Sequence, residues 1–194
     1  MSKLSIVGVS GSLSRPSRTS VLVSSVLEGV ARQREATVKL FDLYELSTDF
    51  FGAGFYDKLP ARHQQIIDDI EAADLLVVGT PVYRGSYSGA FKHLFDLVRH
   101  DRLKGKPIVL TATGGSQLHG LMTEHQLRPL FGFFGALTLP TTVYAVESDF
   151  TDYAVSNPAI RSRIEQATDE ALHALAPRRP VIVPSSAAAV AANA

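Results

Sequence analysis

Short apolar runs rich in β-branched residues recur along the chain, and a stretch with helical spacing separates most from the next. The runs are Lys3 to Ser10, Thr37 to Leu43, Asp74 to Thr80, Lys106 to Thr113 and Leu137 to Val146. In DLLVVGT, at Asp74, apolar residues stand at consecutive positions. A strand with one wet face alternates, whereas a strand covered on both faces does not. Helical patterns begin at Pro16-Ser17, Pro60, Ser88, Gln117 and Pro158, the last running to Leu175. The first carries Val21, Leu22, Val26, Leu27 and Val30, the spacing of a helix packed along one face. Strand and helix in alternation predict a doubly wound α/β fold, a five-stranded parallel sheet with helices on both faces. The spacing fits the strand order 2-1-3-4-5. Gln117 to Phe134 reads as a single helix, and Ser47 to Lys58 as a long loop with no period.

The chain has 194 residues, a length suited to one domain, expected over residues 1–176. The Pro/Ala-rich stretch 177–194 is expected to be a mobile tail. Lys plus Arg number 19, as do Asp plus Glu, so no global field draws the chain to nucleic acid or to a membrane surface. An anionic ligand must then be held by local geometry. With no cysteine, disulfides, thiolate nucleophiles and cysteine-ligated metals are excluded. The six histidines lack metal-ligand spacing, and no metal is expected. His93 and His100 are expected on a helix surface. The N-terminus has no signal-peptide pattern and no apolar run is long enough to span a bilayer, so a cytoplasmic location is expected.

In an open parallel sheet, ligands bind beyond the carboxyl ends of the strands where their order reverses. Three loops qualify. The first, Ser10 to Ser20, offers Ser10, Ser12, Ser17, Thr19 and Ser20 hydroxyls with Arg15 and Arg18 at the start of a helix. Helix starts carry partial positive charge and unpaired N–H donors, which suits a phosphate. The loop is neither a dinucleotide fingerprint nor a Walker A loop, since G-x-G-x-x-G and G-K-[ST] are both missing. Asp42, without that fingerprint, reads as an ordinary strand-end carboxylate. The second loop carries Pro81, Val82, Tyr83, Arg84, Gly85 and Ser86, and can lie along the edge of a planar heterocycle. Arg84, like Arg15 and Arg18, is a candidate for a ligand phosphate. The third, Thr113-Gly114-Gly115, lets backbone approach a ring closely.

Taken together and in order, Ser10-Gly11-Ser12 with Ser17-Arg18-Thr19, Pro81-Val82-Tyr83 with Gly85 to Gly89, and Thr113-Gly114-Gly115 resemble the NAD(P)H-dependent FMN reductases of the flavodoxin-like superfamily. The likeness runs from about Lys3 to Leu175. It is greatest to the reductase components of two-component alkanesulfonate and methanesulfonate monooxygenase systems. The resemblance implies FMN as substrate or loosely bound ligand, NADH or NADPH as hydride donor, and a separate FMN-dependent monooxygenase as recipient of reduced FMN. It implies a homotetramer paired through the helix after Thr113-Gly114-Gly115. It also implies an inserted residue in that helix, which alignment on Leu127-Arg128-Pro129 puts at His125, where several relatives have tyrosine. Hydride passes directly between cofactors, so no catalytic side chain is expected. The competing expectations are a quinone or azo-dye reductase with tightly held FMN, an electron carrier of the same fold, and a pure interaction module. Carriers of that kind are usually acidic, and this chain is neutral.

Overall fold

β1 (Leu4–Ser10) sits between β2 (Ala36–Asp42) and β3 (Leu75–Pro81), parallel to both. The computed structural model describes residues 3–46 and 48–176. The segment 177–194 lies outside the described residues. α1 (Arg18–Gln33) joins β1 to β2, and α2 (Thr48–Gly52) and α3 (Ala61–Ala72) join β2 to β3. α4 (Gly89–Asp96), β4 (Pro107–Gly114) and α5 (Arg128–Phe133) follow, then β5 (Leu137–Thr138) and β6 (Val143–Val146). A small hairpin, β7 (Phe150–Thr151) and β8 (Ala154–Val155), leads into α6 (Pro158–Ala174).

The sheet order is β2-β1-β3-β4-β5, with β6 also paired to β4. This is the doubly wound order 2-1-3-4-5 of flavodoxin-like folds. The fifth position is filled by two pieces rather than the single strand Leu137 to Val146. β5 pairs with Pro107 and Ile108, and β6 with Thr111 to Gly114, so the strand leaves the ladder between them. Pro140 lies in that gap and has no N–H to give a ladder. The carbonyls freed there go to Arg128, whose guanidinium donates to the Leu139 carbonyl at 3.0 Å and to the Pro140 carbonyl at 3.3 Å.

Consecutive residues of the central strands enter opposite cores. Val7, Leu76, Val78, Ile108 and Leu110 pack on the side of Phe91, Phe95 and Phe131. Ile6, Leu75, Val77 and Val109 pack under α1 and α6 with Val26, Val30, Ile164 and Ala167. That is why these runs are apolar throughout. Gly79 lets α1 lie close to the sheet, since a Cβ there would stand 2.5 Å from a Val23 methyl.

The stretch read as an aperiodic loop folds instead into α2 and a 3-10 turn at Tyr56–Lys58. Its anchor is Phe50, fully buried between the rings of His63 and His93 at 5.4 and 5.5 Å. His93 is therefore not a free surface residue, for its Nε2 lies 3.0 Å from the Phe50 carbonyl. His100 is exposed but sits beyond the end of α4, in a turn. The stretch Gln117 to Phe134 is also interrupted. It comprises a 3-10 turn at Gln117–His119, a π-helical turn at Thr123–Leu127 and then α5.

Candidate functional site

The loops after β1, β3 and β4 meet at the carboxyl edge of the sheet, where the strand order reverses. Hydroxyl groups lock them together. Ser88 donates from its Oγ to the Gly11 carbonyl at 3.0 Å, tying the second loop to the first. Thr19 and Thr113 share a buried Oγ1–Oγ1 hydrogen bond of 2.6 Å, tying the first to the third. The Val82 N–H donates to the Thr113 carbonyl at 2.7 Å, tying the second to the third.

Between them lies an open cleft of about 230 Å³. Of the residues singled out in the sequence, Ser12, Ser17, Arg18, Thr19, Pro81, Val82, Tyr83, Thr113, Gly114 and Gly115 line it. Ser17 caps α1, accepting from the Ser20 N–H at 3.2 Å. The N–H groups of Arg18 and Thr19, in the first turn, have no acceptor inside the helix. Hydroxyls, free N–H groups and one guanidinium thus share a wall, the donor set a phosphate needs.

On the opposite side, Tyr83 to Ser86 forms a tight turn closed by two backbone hydrogen bonds, of 2.9 and 3.1 Å. Arg84 and Gly85 have φ of 53° and 78°, the left-handed pair that such turns require. The turn leaves Tyr83 half exposed at the cleft. Across from it, a Cβ on Gly115 would meet open space. Gly114 differs, since a Cβ there would stand 2.1 Å from the Tyr144 hydroxyl, which donates to the Ser116 carbonyl at 2.6 Å. Burial holds the Tyr144 phenol above its ordinary pKa, keeping it a donor. Gly114 is thus needed for the support beneath the loop, and Gly115 borders the space above it.

Other predicted residues lie elsewhere. Ser10 and Ser20 hydrogen-bond each other at 2.8 Å, and Ser20 donates to Asp42 at 2.8 Å. Asp42 is buried and also accepts from the Tyr44 N–H at 3.3 Å, so it is a structural acceptor that braces the first loop rather than an idle strand end. Arg15 pairs with Glu45 and lies over the Tyr44 ring. Arg84, Gly85 and Ser86 stand outside the cleft lining. His125 is exposed in the π-helical turn, next to Gln126, whose Oε1 accepts from the Ser86 hydroxyl at 3.2 Å.

Ser14, Pro16, Val146, Glu147 and Tyr153 line the cleft and were not singled out in the sequence. The last three come from the end of β6 and the hairpin after it. The fifth strand also ends at the carboxyl edge, and that rule alone could have pointed to Glu147. Tyr153 had no such signal, because it arrives through a two-residue turn.

Residues 4–151 match the family described as NADPH-dependent FMN reductase. The chain is similar to the NADH-dependent FMN reductase SfnE of Pseudomonas putida, 46% identical over 169 residues, covering 87% of this chain and 91% of the relative. It is 42% identical over 170 residues to an FMN reductase (NADPH) of Pseudomonas aeruginosa, covering 88% and 91%. Among solved structures, an oxidoreductase from Corynebacterium diphtheriae superposes with a TM-score of 0.79 at 32% identity, covering 89% of this chain and 97% of that one.

Proposed function

The chain belongs to the NADPH-dependent FMN reductase family, and from that membership we propose that it transfers a hydride from NADH or NADPH to FMN held in the cleft. Reduced FMN then passes to a separate FMN-dependent monooxygenase acting in sulfonate or organosulfur metabolism. The observation that carries this reading is the cleft itself, with a hydroxyl-rich helix start on one wall and open space over Gly115 on the other. Those features fit a phosphate at one end and a flat ring at the other.

Ser12, Ser17, Thr19 and Arg18 hold the phosphate in this reading. Pro81, Val82 and Tyr83 border the isoalloxazine, with Gly114 and Gly115 on its other side. Bound FMN supplies the hydride acceptor at its N5. The chain's own groups orient the ring, and the three cross-bonded loops keep that surface rigid. Ser10 and Ser20 act indirectly, by bracing the first loop on Asp42. Arg15 and Arg84, outside the cleft lining, are candidates for the phosphates of the nicotinamide dinucleotide. Gly85 and Ser86 shape the turn that carries Tyr83, and His125, in the π-helical turn, lies at a subunit interface near the flavin and favours loose FMN binding.

In this reading FMN is an exchanging substrate, with the tightly held flavin of a quinone or azo-dye reductase as the alternative. We also infer a cytoplasmic homotetramer. The deciding assay is steady-state oxidation of NADH and NADPH with FMN, FAD and riboflavin as acceptors, on protein whose colour has been recorded. Nearly colourless protein with FMN-stimulated turnover is the expected result. Protein that purifies yellow and turns over quinones without added FMN favours the bound-flavin reading. Absence of flavin-dependent oxidation with either nucleotide sinks both.

A further inference from the structure

Among the described residues that line the cleft there is one cation, Arg18, and one anion, Glu147. They are paired with each other. Arg18 opens α1, and Glu147 stands 129 residues later at the end of β6, so the pair joins two walls of the cleft rather than two turns of one helix. The guanidinium is also placed over the Tyr153 ring, 5.2 Å from its centroid. Tyr153 gets there through the turn between β7 and β8, where Asp152 and Tyr153 have φ of 48° and 60°. Such backbone is uncommon for a bulky residue and persists where the surroundings impose it.

We propose that Glu147 is a built-in competitor for the ligand phosphate, occupying Arg18 until FMN displaces it and thereby setting how loosely FMN is held. This rests on the reading of the cleft as the FMN site. A phosphate entering the first loop seeks the same guanidinium, whose planar donors suit a carboxylate and a phosphate alike. With Arg18 engaged, the lining carries no net formal charge. FMN must therefore exchange one anion for another instead of filling an unpaired cation site. Glu147 is free to yield, because its side chain is 77% exposed and water takes it up at little cost. Its backbone does not drift with it. The turn that carries it is pinned by buried Asp149, which accepts from the Val146 N–H at 2.8 Å and from Asn157 at 2.6 Å. The carboxylate thus remains at the cleft edge and returns when the phosphate leaves. Riboflavin, which has no phosphate, does not compete for Arg18.

The test is fluorescence titration of FMN and of riboflavin against the wild type, Glu147→Gln, Arg18→Ala and the double variant. Glu147→Gln is expected to tighten FMN by about three- to tenfold and to leave riboflavin within twofold. In the Arg18→Ala background the same substitution should bring little gain, since the competition runs through that guanidinium. Unchanged FMN affinity in Glu147→Gln overturns the proposal, as does an equal gain for both flavins. So does a gain of the same size without Arg18, which would make Glu147 a general repeller of phosphate. A wild type that binds neither flavin removes the reading of the cleft, and the role of Glu147 with it. A wild type that binds FMN normally while Glu147→Gln changes nothing removes only the latter.

Discussion

Arg18 and the two adjacent glycines show how much single positions decide. A charge-assisted bond to phosphate contributes about 1.5–3 kcal/mol. Arg18→Ala should therefore weaken FMN binding by roughly ten- to a hundredfold, towards the lower end because Glu147 already offsets part of the attraction. Riboflavin affinity should barely move, and an equal loss for both flavins would remove Arg18 from the phosphate site. Gly114 and Gly115 are neighbours with opposite demands. Gly114→Ala drives a Cβ against the Tyr144 hydroxyl and displaces it from the Ser116 carbonyl, at about 1–3 kcal/mol. Thermal melting should show that loss. Gly115→Val has room in the protein, so it should melt like the wild type while raising the FMN concentration needed for half-maximal turnover. A normal FMN requirement in that variant would mean that the loop does not touch the flavin.

At the scale of elements, the π-helical turn and the split strand explain each other. Pro129 has no N–H, and its ring would crowd the carbonyl four residues earlier, which belongs to His125. The turn before it widens accordingly, and the Arg128 N–H reaches back five residues to the Thr123 carbonyl. Arg128 then faces Glu124 at 3.0 Å and the stray carbonyls between β5 and β6. The hydrogen bond from Arg128 holds Glu124 below its ordinary pKa of 4.5, with burial opposing. A carboxylate lowered in the folded state stabilises the fold above its unfolded pKa, and that contribution drains away as pH falls through the folded value. The wild type should hence lose melting temperature below about pH 4.5 more steeply than Glu124→Gln, and parallel curves would mean the pair contributes nothing. If His125 is the inserted residue that the family likeness implies, deleting it shortens the π-helical turn and should tighten FMN and slow turnover with free FMN; a colourless, fully active deletion variant would refute it. How legible these elements were follows from the same physics. Strands buried on both faces announced themselves as apolar runs, and the three loops at their ends followed from topology. The order of α2 did not, because Phe50 is held by His63 and His93 from other helices. Nor did the break at Pro140, where Arg128 satisfies the freed carbonyls from α5. Tyr153 was hidden for a related reason, since a strained turn brings it to the cleft and no periodic pattern marks it.

For the whole molecule, the Gln117 to Phe134 stretch ends in the large residues Leu127, Leu130, Phe131, Phe133 and Phe134, more than one narrow core stripe takes. Most of these are internal. Leu127, Phe131 and Phe134 are buried, Leu130 is half-buried, and Phe133 alone is exposed. A different set faces outward, namely Leu118, Leu121, His125, Pro129 and Phe133. They are spread over the 3-10 turn, the π-helical turn, α5 and the residues between them, so exposed apolar groups occur along the whole segment. Leu118 is 90% and Phe133 74% exposed, so large apolar side chains meet solvent at both ends of the segment. A neutral chain has little net charge to keep such faces apart. The homotetramer proposed above would bury these residues against a second copy, with the π-helical turn at the contact. Association would then reach the cleft through Gln126 and Ser86, so assembly and flavin exchange would be coupled. Sedimentation should show a species of about four chains for the wild type, and smaller species for Leu118→Glu combined with Leu121→Glu. The dissociated variant should keep its fold by circular dichroism and show altered FMN affinity. A wild type that sediments as a monomer would overturn the assembly, and a dissociated variant with unchanged FMN affinity would overturn the coupling.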